Sequence, residues 1–221
     1  MNPLRLRPLA PLREIKNQSM KLYRLQRILS NLRRNSRSKS LKLLQQRGGS
    51  VNDFSIRRAV ETDIPQLAAV HVKAWADTYF TYRNPPTYEI RLSQWKESFR
   101  NNDGSWFAYV VVDKNNNVIG FAKGKTYSTA DLPDYQGELN KIFLLFDYHR
   151  LGLGTRLLVK VAEYFITMGI NNMVLFSEPS NPTGWFYEAR GAKKLYGKNG
   201  GFHGGYAWDN LRDLVKMVKV V

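Results

Sequence analysis

Residues 142–158 read IFLLFDYHRLGLGTRLL. The run from Ile142 to Phe146 is apolar and of strand length, and a turn carrying Gly152 and Gly154 leads at once into a Leu- and Arg-containing helical pattern. Glycines at a helix N-terminus leave backbone N–H groups unobstructed. Together with the positive end of the helix dipole, those groups form a site for phosphate oxygens. His149, Arg150 and Arg156 stand near enough to add donors or charge. The spacing excludes two familiar phosphate loops. A Walker loop needs four residues between its glycines and then Lys-Ser/Thr; a dinucleotide fingerprint needs a third glycine where Leu157 stands. Taken alone, a Gly-x-Gly turn also fits a plain strand–helix connection.

Outward from this loop, residues 137–146 form its strand and 153–168 its helix, stopped by Gly169. Upstream, 106–112 (WFAYVVV) reads as a buried strand, 113–117 as a turn and 118–125 as the returning strand of a hairpin. Residues 54–59 alternate as a first strand. Thr62-Asp63 offers an N-cap for a helix reaching about Tyr79. On that helix Leu67, Val70 and Ala74 form the core-facing stripe, while His71, Trp75 and Tyr79 share a face. Residues 88–99 are a second amphipathic helix. Downstream come a strand at 173–176, a short helix at 182–190, and closing strands at 192–196 and 206–208. Hairpins first and strand–helix–strand crossovers later give an α/β fold: a mixed, mostly antiparallel central sheet with flanking helices.

Charge divides the chain. Of 34 Lys+Arg and 18 Asp+Glu, residues 1–50 hold 13 and one (Glu14), whereas 51–221 hold 21 and 17. A basic, flexible extension (1–50) and one folded domain (51–221) are therefore expected. Within the extension, Leu22, Leu25, Leu29 and Leu32 fall on one helical face, 36–40 (SRSKS) reads as linker, and Gly48-Gly49-Ser50 as a joint. Four readings fit it: an inert tail; a nucleic-acid or anionic-membrane patch; an organelle transit peptide; or translated leader. The last rests on Arg47-Gly48-Gly49, which a purine-rich ribosome-binding sequence would encode just before a start at Val51.

The absence of cysteine excludes disulfides, thiolate metal sites and a Cys nucleophile. Only three His are present (His71, His149, His203), none at ligand spacing, so no metal is expected. No apolar run approaches the ~20 residues of a membrane span, and no signal h-region follows the first charges. A cytoplasmic protein is expected, or an organellar one if 1–50 is a transit peptide.

The stretch His149-Arg150-Leu151-Gly152-Leu153-Gly154 resembles the acetyl-CoA-binding motif of the GNAT family of N-acetyltransferases, Gln/Arg-x-x-Gly-x-Gly/Ala. Past it, Asn181, then Phe186-Tyr187, then Gly191 are similar to that family's signature around its fourth helix. Gly205-Tyr206-Ala207-Trp208 is similar to its closing strand, and His71, Trp75 and Tyr79 to its first helix. The likeness covers about residues 54–210. Two departures stand out: His149 replaces Gln/Arg, and Phe146 stands where many members have Pro.

The resemblance implies an acetyl-CoA-dependent N-acetyltransferase, with acetyl-CoA as co-substrate and a primary amine as acceptor, attacking the thioester directly in a ternary complex. The fourth and fifth strands would splay around the pantetheine arm. Ile142, Phe143 and Leu144 would pair with that arm, His149, Arg150, Leu151, Gly152, Leu153, Gly154 and Thr155 would cradle the pyrophosphate, and Asn181 would bond the arm or cap the following helix. Tyr187 matches the family's general acid, and Glu138 is the candidate base, through a water. His71, Trp75, Tyr79, Trp185, His203 and Tyr206 are expected together to form the acceptor pocket, although any one of them taken alone reads rather as half-buried packing. A homodimer is common among such proteins. The competing function is a nucleic-acid- or ribosome-associated protein, using residues 1–50, whose GNAT-like domain only binds CoA.

Overall fold

The computed structural model describes residues 37–46, 49–79, 84–179, 181 and 183–219. The helix expected over 21–32 lies outside them. Helix α1 (Arg37–Gln46) comes first, then β1 (Ser55–Arg58), α2 (Ile64–Thr78) and α3 (Tyr88–Arg100). The hairpin β2 (Trp106–Val112) and β3 (Val118–Thr126) follows, then β4 (Gly137–Leu144) and α4 (Leu153–Thr167). The chain closes with β5 (Met173–Phe176), α5 (Gly184–Glu188), β6 (Lys193–Tyr196), β7 (Phe202–Trp208) and α6 (Leu211–Lys219).

Seven strands form one sheet in the order β1-β2-β3-β4-β5-β7-β6, and every pairing is antiparallel except β4–β5. The near-continuous apolar strands β2 and β3 are central because helices cover both faces. On one face α2 supplies Ile64, Leu67 and Val70, and α3 supplies Trp95, against Val110 and Phe121. On the other, α4 lays Leu157, Leu158, Val161 and Phe165 on Phe107, Leu139 and Met173. Helix α6 adds Leu211 and Leu214 to that second core.

Two stretches depart from the sequence expectation. Residues 37–40, assigned to a linker on their Ser and Lys content, open α1. Their continuation LKLLQQ is strongly helix-forming, and Leu41 and Leu44 pack on the α4-side core with Ser40 buried beside them. Helix α6 was not anticipated either. It is a nine-residue amphipath in which Leu211 and Leu214, three apart, face the core.

The join between β4 and β5 positions the site. Those strands pair only at Gly137↔Met173 and Glu138↔Val174. Immediately afterwards the β3–β4 register skips Asn140, passing from Gly124↔Leu139 to Lys123↔Lys141. Such a bulge bends the strand carrying it. Strand β4 thus follows β3 as far as Gly120↔Leu144, while β5 stays with β7 through Phe176↔Gly205. A wedge opens between them.

Candidate active site

The wedge is a cavity of about 250 Å³. Ile142, Phe143 and Leu144 form one wall and Leu175–Ser177 the other, and it ends on Gly152, Gly154 and Thr155 at the start of α4. Gly152 is the N-cap of α4, with φ +81°, a left-handed conformation that only glycine adopts cheaply. Arg150 also has a positive φ, +63°. The first intrahelical bond runs from Arg156 N–H to Gly152 C=O, which leaves the preceding N–H groups at the mouth of the wedge.

His149 is inside the loop rather than on its surface. Its Nε2–H donates to the Leu144 carbonyl at 2.9 Å, tying the loop to the end of β4. Burial, partly offset by that bond, lowers its pKa, so it is a neutral clamp at physiological pH. The Leu144 carbonyl is thereby already engaged. Leu151 and Leu153 point the other way, into the α4-side core.

Two guanidiniums flank the loop. Arg150 stands 4.3 Å over the Trp185 ring. Arg190 stands 4.0 Å over Phe186, donates from Nε to Thr155 Oγ1 at 2.7 Å and from Nη1 to the Phe186 carbonyl at 2.9 Å. Burial and the nearby Arg150 both lower the pKa of Arg190, as expected for two cations facing one cavity. Arg190 was missed in the sequence. Its signal was its place four residues past Phe186, in the turn that ends the helix whose Tyr187 had already been singled out.

Tyr187 lines the wedge from α5 while being 5% exposed. Desolvation drives its pKa well above the usual phenol value, with Tyr79 and Tyr206 adding to the rise and a hydrogen bond with Thr183 opposing it. Asn181 accepts from the Thr183 N–H (2.9 Å) and hydroxyl (2.7 Å) through Oδ1, which fixes the entry to α5. Its Nδ2 donates to the Tyr79 hydroxyl at 3.0 Å, joining the α5 side of the wedge to α2.

On the α2–α3 side the wedge opens into a second cavity bordered by His71, Trp75, Tyr79 and Phe143. The structure brings His71 and Trp75 of α2 and Tyr79 at its C-terminal cap together there. His71 is 2% exposed, packed between Phe121 and Phe143, and burial followed by repulsion from Arg91, Lys141 and Lys123 lowers its pKa to about 3. An imidazole that weak is no base for an ammonium. Trp185 borders the wedge, not this cavity. Tyr206 is buried against Tyr187 and Phe202 and borders neither. His203 is exposed on β7, 3.3 Å from Asn199, and also borders neither.

Glu138 sits on the paired part of β4, its carboxylate held by Lys125 Nζ at 3.0 Å and Asn140 Nδ2 at 2.7 Å. It reaches the cavities only through Asn140, which borders both. Glu178, just past β5, borders the acceptor-side cavity directly.

A splayed β4–β5 pair ending on a glycine-started helix is the arrangement of one acyltransferase class, and comparison with known proteins agrees. The family model for GNAT acetyltransferases matches residues 69–192, more than half of the chain. The protein belongs to the GNAT acetyltransferase family. It is 33% identical over 147 residues to an uncharacterized N-acetyltransferase, YuaI, of Bacillus subtilis, covering 64% of this chain and 81% of that one. Among solved structures, the fold matches the PaiA N-acetyltransferase of Thermoplasma acidophilum in complex with coenzyme A (TM-score 0.54, 19% identity, 70% of this chain and 97% of that one). It also matches a GNAT-family acetyltransferase of Staphylococcus aureus (TM-score 0.57, 15% identity, 72% and 99%). Among the described residues no helix is long and apolar enough to cross a membrane.

Proposed function

We propose that this protein transfers the acetyl group of acetyl-CoA to a primary amine by direct attack within a ternary complex. The observation that carries the reading is the wedge itself: strands that part after Glu138, a left-handed glycine cap at the far end, and a protonated phenol on the wall.

The residues present fit a pantetheine arm with a pyrophosphate beyond it. The edge of β4 turned away from β3 faces the wedge, with Ile142 and Phe143 available to pair an extended chain. A Cβ built on Gly154 would meet the protein only at the Phe186 ring, 3.4 Å away, so glycine there is not forced by internal packing. Its lack of a side chain serves whatever enters the wedge. The N–H groups at the start of α4, with Arg150 and Arg190, receive the pyrophosphate.

Chemistry asks for two proton movements. The amine must lose a proton, and the departing thiolate must be stabilised. Tyr187 meets the second need. An ordinary phenol (pKa ~10) already holds its proton more tightly than an ordinary thiol (pKa ~8.5), and burial of Tyr187 widens that gap. It acts first as a hydrogen-bond donor to the thiolate, whose own proton affinity rises in the same dry site. For the amine proton, Glu178 replaces Glu138 as the favoured acceptor, because it borders the acceptor cavity and Glu138 does not; Glu138 positions Asn140.

Titrating acetyl-CoA calorimetrically into the full chain, then following thiol release with a panel of amines, tests the reading. Micromolar binding with amine-dependent thiol release is expected. No acetyl-CoA binding would overturn it.

A further inference from the structure

Beyond the acceptor-side cavity lies a chamber of about 420 Å³ walled by cations. Arg91 of α3, Lys123 of β3 and Lys141 of β4 converge on it beside His71, Trp95 and Trp106. Lys141 also borders the wedge and the cavity between, so the three spaces meet at its side chain.

Gathering three cations in a half-buried chamber is unfavourable unless an anion joins them. None of the three belongs to the ion pairs found among the described residues. Their hydrogen-bond partners among the described residues are neutral. Lys123 Nζ donates to Ser98 Oγ at 3.2 Å and stands 4.2 Å over the Trp106 ring. Lys141 Nζ donates to Asn140 Oδ1 at 2.8 Å, and Arg91 Nη1 to Gln94 Oε1 at 2.8 Å. Burial lowers the pKa of all three groups. Lys123, which also feels Lys141 and Lys125, falls to about 8. Three buried polar atoms around the chamber have no partner at all: Arg91 Nε, Trp95 Nε1 and His71 Nδ1. Trp95 and His71 are each only 2% exposed. The acids nearby offset the cluster only in part: Glu138, paired with Lys125, supports the charge of Lys123 and Lys141 without outweighing their burial, while Glu97 at the chamber and Glu178 at the adjoining cavity are exposed.

We propose that this chamber binds a carboxylate of the acceptor, so that the amine acetylated belongs to a small amino-acid-like molecule. The proposal rests on the acetyl-transfer reading above and adds the substrate class. Arg91 Nε–H, Trp95 Nε1–H and the two ammonium groups hold the carboxylate, and the amino group extends along the groove past Lys141 toward the wedge. A guanidinium edge beside a neutral indole donor suits a planar carboxylate. A polyamine would meet the like charges of Arg91, Lys123 and Lys141 there.

The test compares free amino acids with their carboxamides at pH 7.5, in two readouts on the full chain. In the first, acetyl-CoA affinity is measured alone and thiol release is then followed with each panel member. Carboxylate acceptors are expected to exceed their carboxamides at least tenfold in kcat/KM. Arg91→Gln and Lys123→Met are expected to raise KM for the carboxylate acceptor tenfold or more without changing acetyl-CoA affinity. In the second, independent of turnover, the Trp95 indole 15N–1H resonance, assigned with Trp95→Phe, is followed as millimolar amino-acid pools are added. It should shift with amino acids and stay still with carboxamides. Failure of acetyl-CoA to bind would refute the acetyl-transfer reading, leaving the indole resonance to decide the chamber. Carboxamides or polyamines turned over as well as amino acids, or an indole resonance unmoved by every pool, would overturn the proposal.

Discussion

Gly152 and Gly154 stand two residues apart and make opposite demands, which gives a sharp test of the pyrophosphate loop. At Gly152 the backbone is left-handed (φ +81°) although a Cβ would meet nothing within 4 Å. Gly152→Ala therefore costs about 1–2 kcal/mol through conformation alone. At Gly154 the backbone is helical and a Cβ would touch only Phe186, at ordinary contact distance. Gly154→Ala should stabilise the fold by up to about 0.5–1 kcal/mol, because alanine loses less chain entropy in a helix. For a chain of this size that raises the melting temperature by about 1–4 °C. Binding should move the other way. A methyl group at Gly154 stands between the N–H groups of the first turn and the anion they hold. Losing one charge-assisted hydrogen bond costs about 1.5–3 kcal/mol, or roughly 10- to 150-fold in affinity. Thermal melts and calorimetric titration with acetyl-CoA read the two effects separately. A Gly154→Ala protein that binds acetyl-CoA like the wild type would refute the placement of the pyrophosphate, and one that melts lower would refute the packing argument.

Tyr187→Phe should lower kcat by roughly 100-fold or more while leaving acetyl-CoA affinity nearly unchanged; a loss confined to KM would assign Tyr187 to binding. Glu178→Gln should suppress the rate most at low pH and recover as pH rises and the ammonium loses its proton by itself, whereas Glu138→Gln should shift the rate without reshaping its pH profile; the reverse pattern would restore Glu138 as the base. Asp63 is 4% exposed, and Arg57 grips its carboxylate at 2.7 and 2.8 Å. Burial pushes its pKa up, but Arg57 and the Val60 N–H outweigh that and hold it below the ordinary value. Its contribution is therefore present above the ordinary carboxylate pKa of ~3.9 and lost as pH falls through the depressed one. Asp63→Asn should cost about 2–3 kcal/mol at neutral pH, less than a fully buried pair because Arg57 can re-solvate, and the gap to wild type should close in acid. A melt showing the same gap at every pH would contradict this. A fragment starting at Val51 should fold but lose about 1–2 kcal/mol, the partial burial of Leu41 and Leu44 less the entropy of ordering α1; equal denaturation midpoints would show that α1 contributes nothing.

Most of the fold was legible because its signals are local. WFAYVVV with its turn dictates the hairpin, Leu67, Val70 and Ala74 the buried face of α2, and Gly152 the start of α4. Helix α1 was not, because Ser and Lys content pointed to linker while the deciding contacts, Leu41 and Leu44 on the α4-side core, join residues far apart in the chain. The site divides in the same way. Tyr187 and the glycine loop are carried by short motifs. The chamber joins Arg91, Lys123 and Lys141 from three elements, at a spacing no periodicity relates. Tyr206 and His203 were grouped with the acceptor pocket of His71, Trp75 and Tyr79 on aromatic and polar character, yet β7 turns one into the core beside Tyr187 and the other outward to Asn199.

One residue accounts for much of what the sequence concealed. With strict alternation along β4, Leu139, Lys141 and Phe143 would share a face. In the structure Leu139 joins the α4-side core, and so do Ile142 and Leu144, while Phe143 joins the α2–α3 side and Lys141 its chamber. The parity changes at Asn140, the residue skipped in the β3–β4 register. A one-residue slip exchanges the two faces of a strand. Here that exchange sends Lys141 toward Arg91 and Lys123 instead of into the apolar core under α4. The same bulge bends β4 from β5 directly after their last pair, so a single inserted residue opens the wedge and turns the Lys141 cation toward the chamber. Asn140 itself bridges Glu138 and Lys141 through its amide, donating to one at 2.7 Å and accepting from the other at 2.8 Å. The carboxylate on the paired side thereby orients the ammonium on the open side, which is the physical sense in which Glu138 positions the site without bordering it.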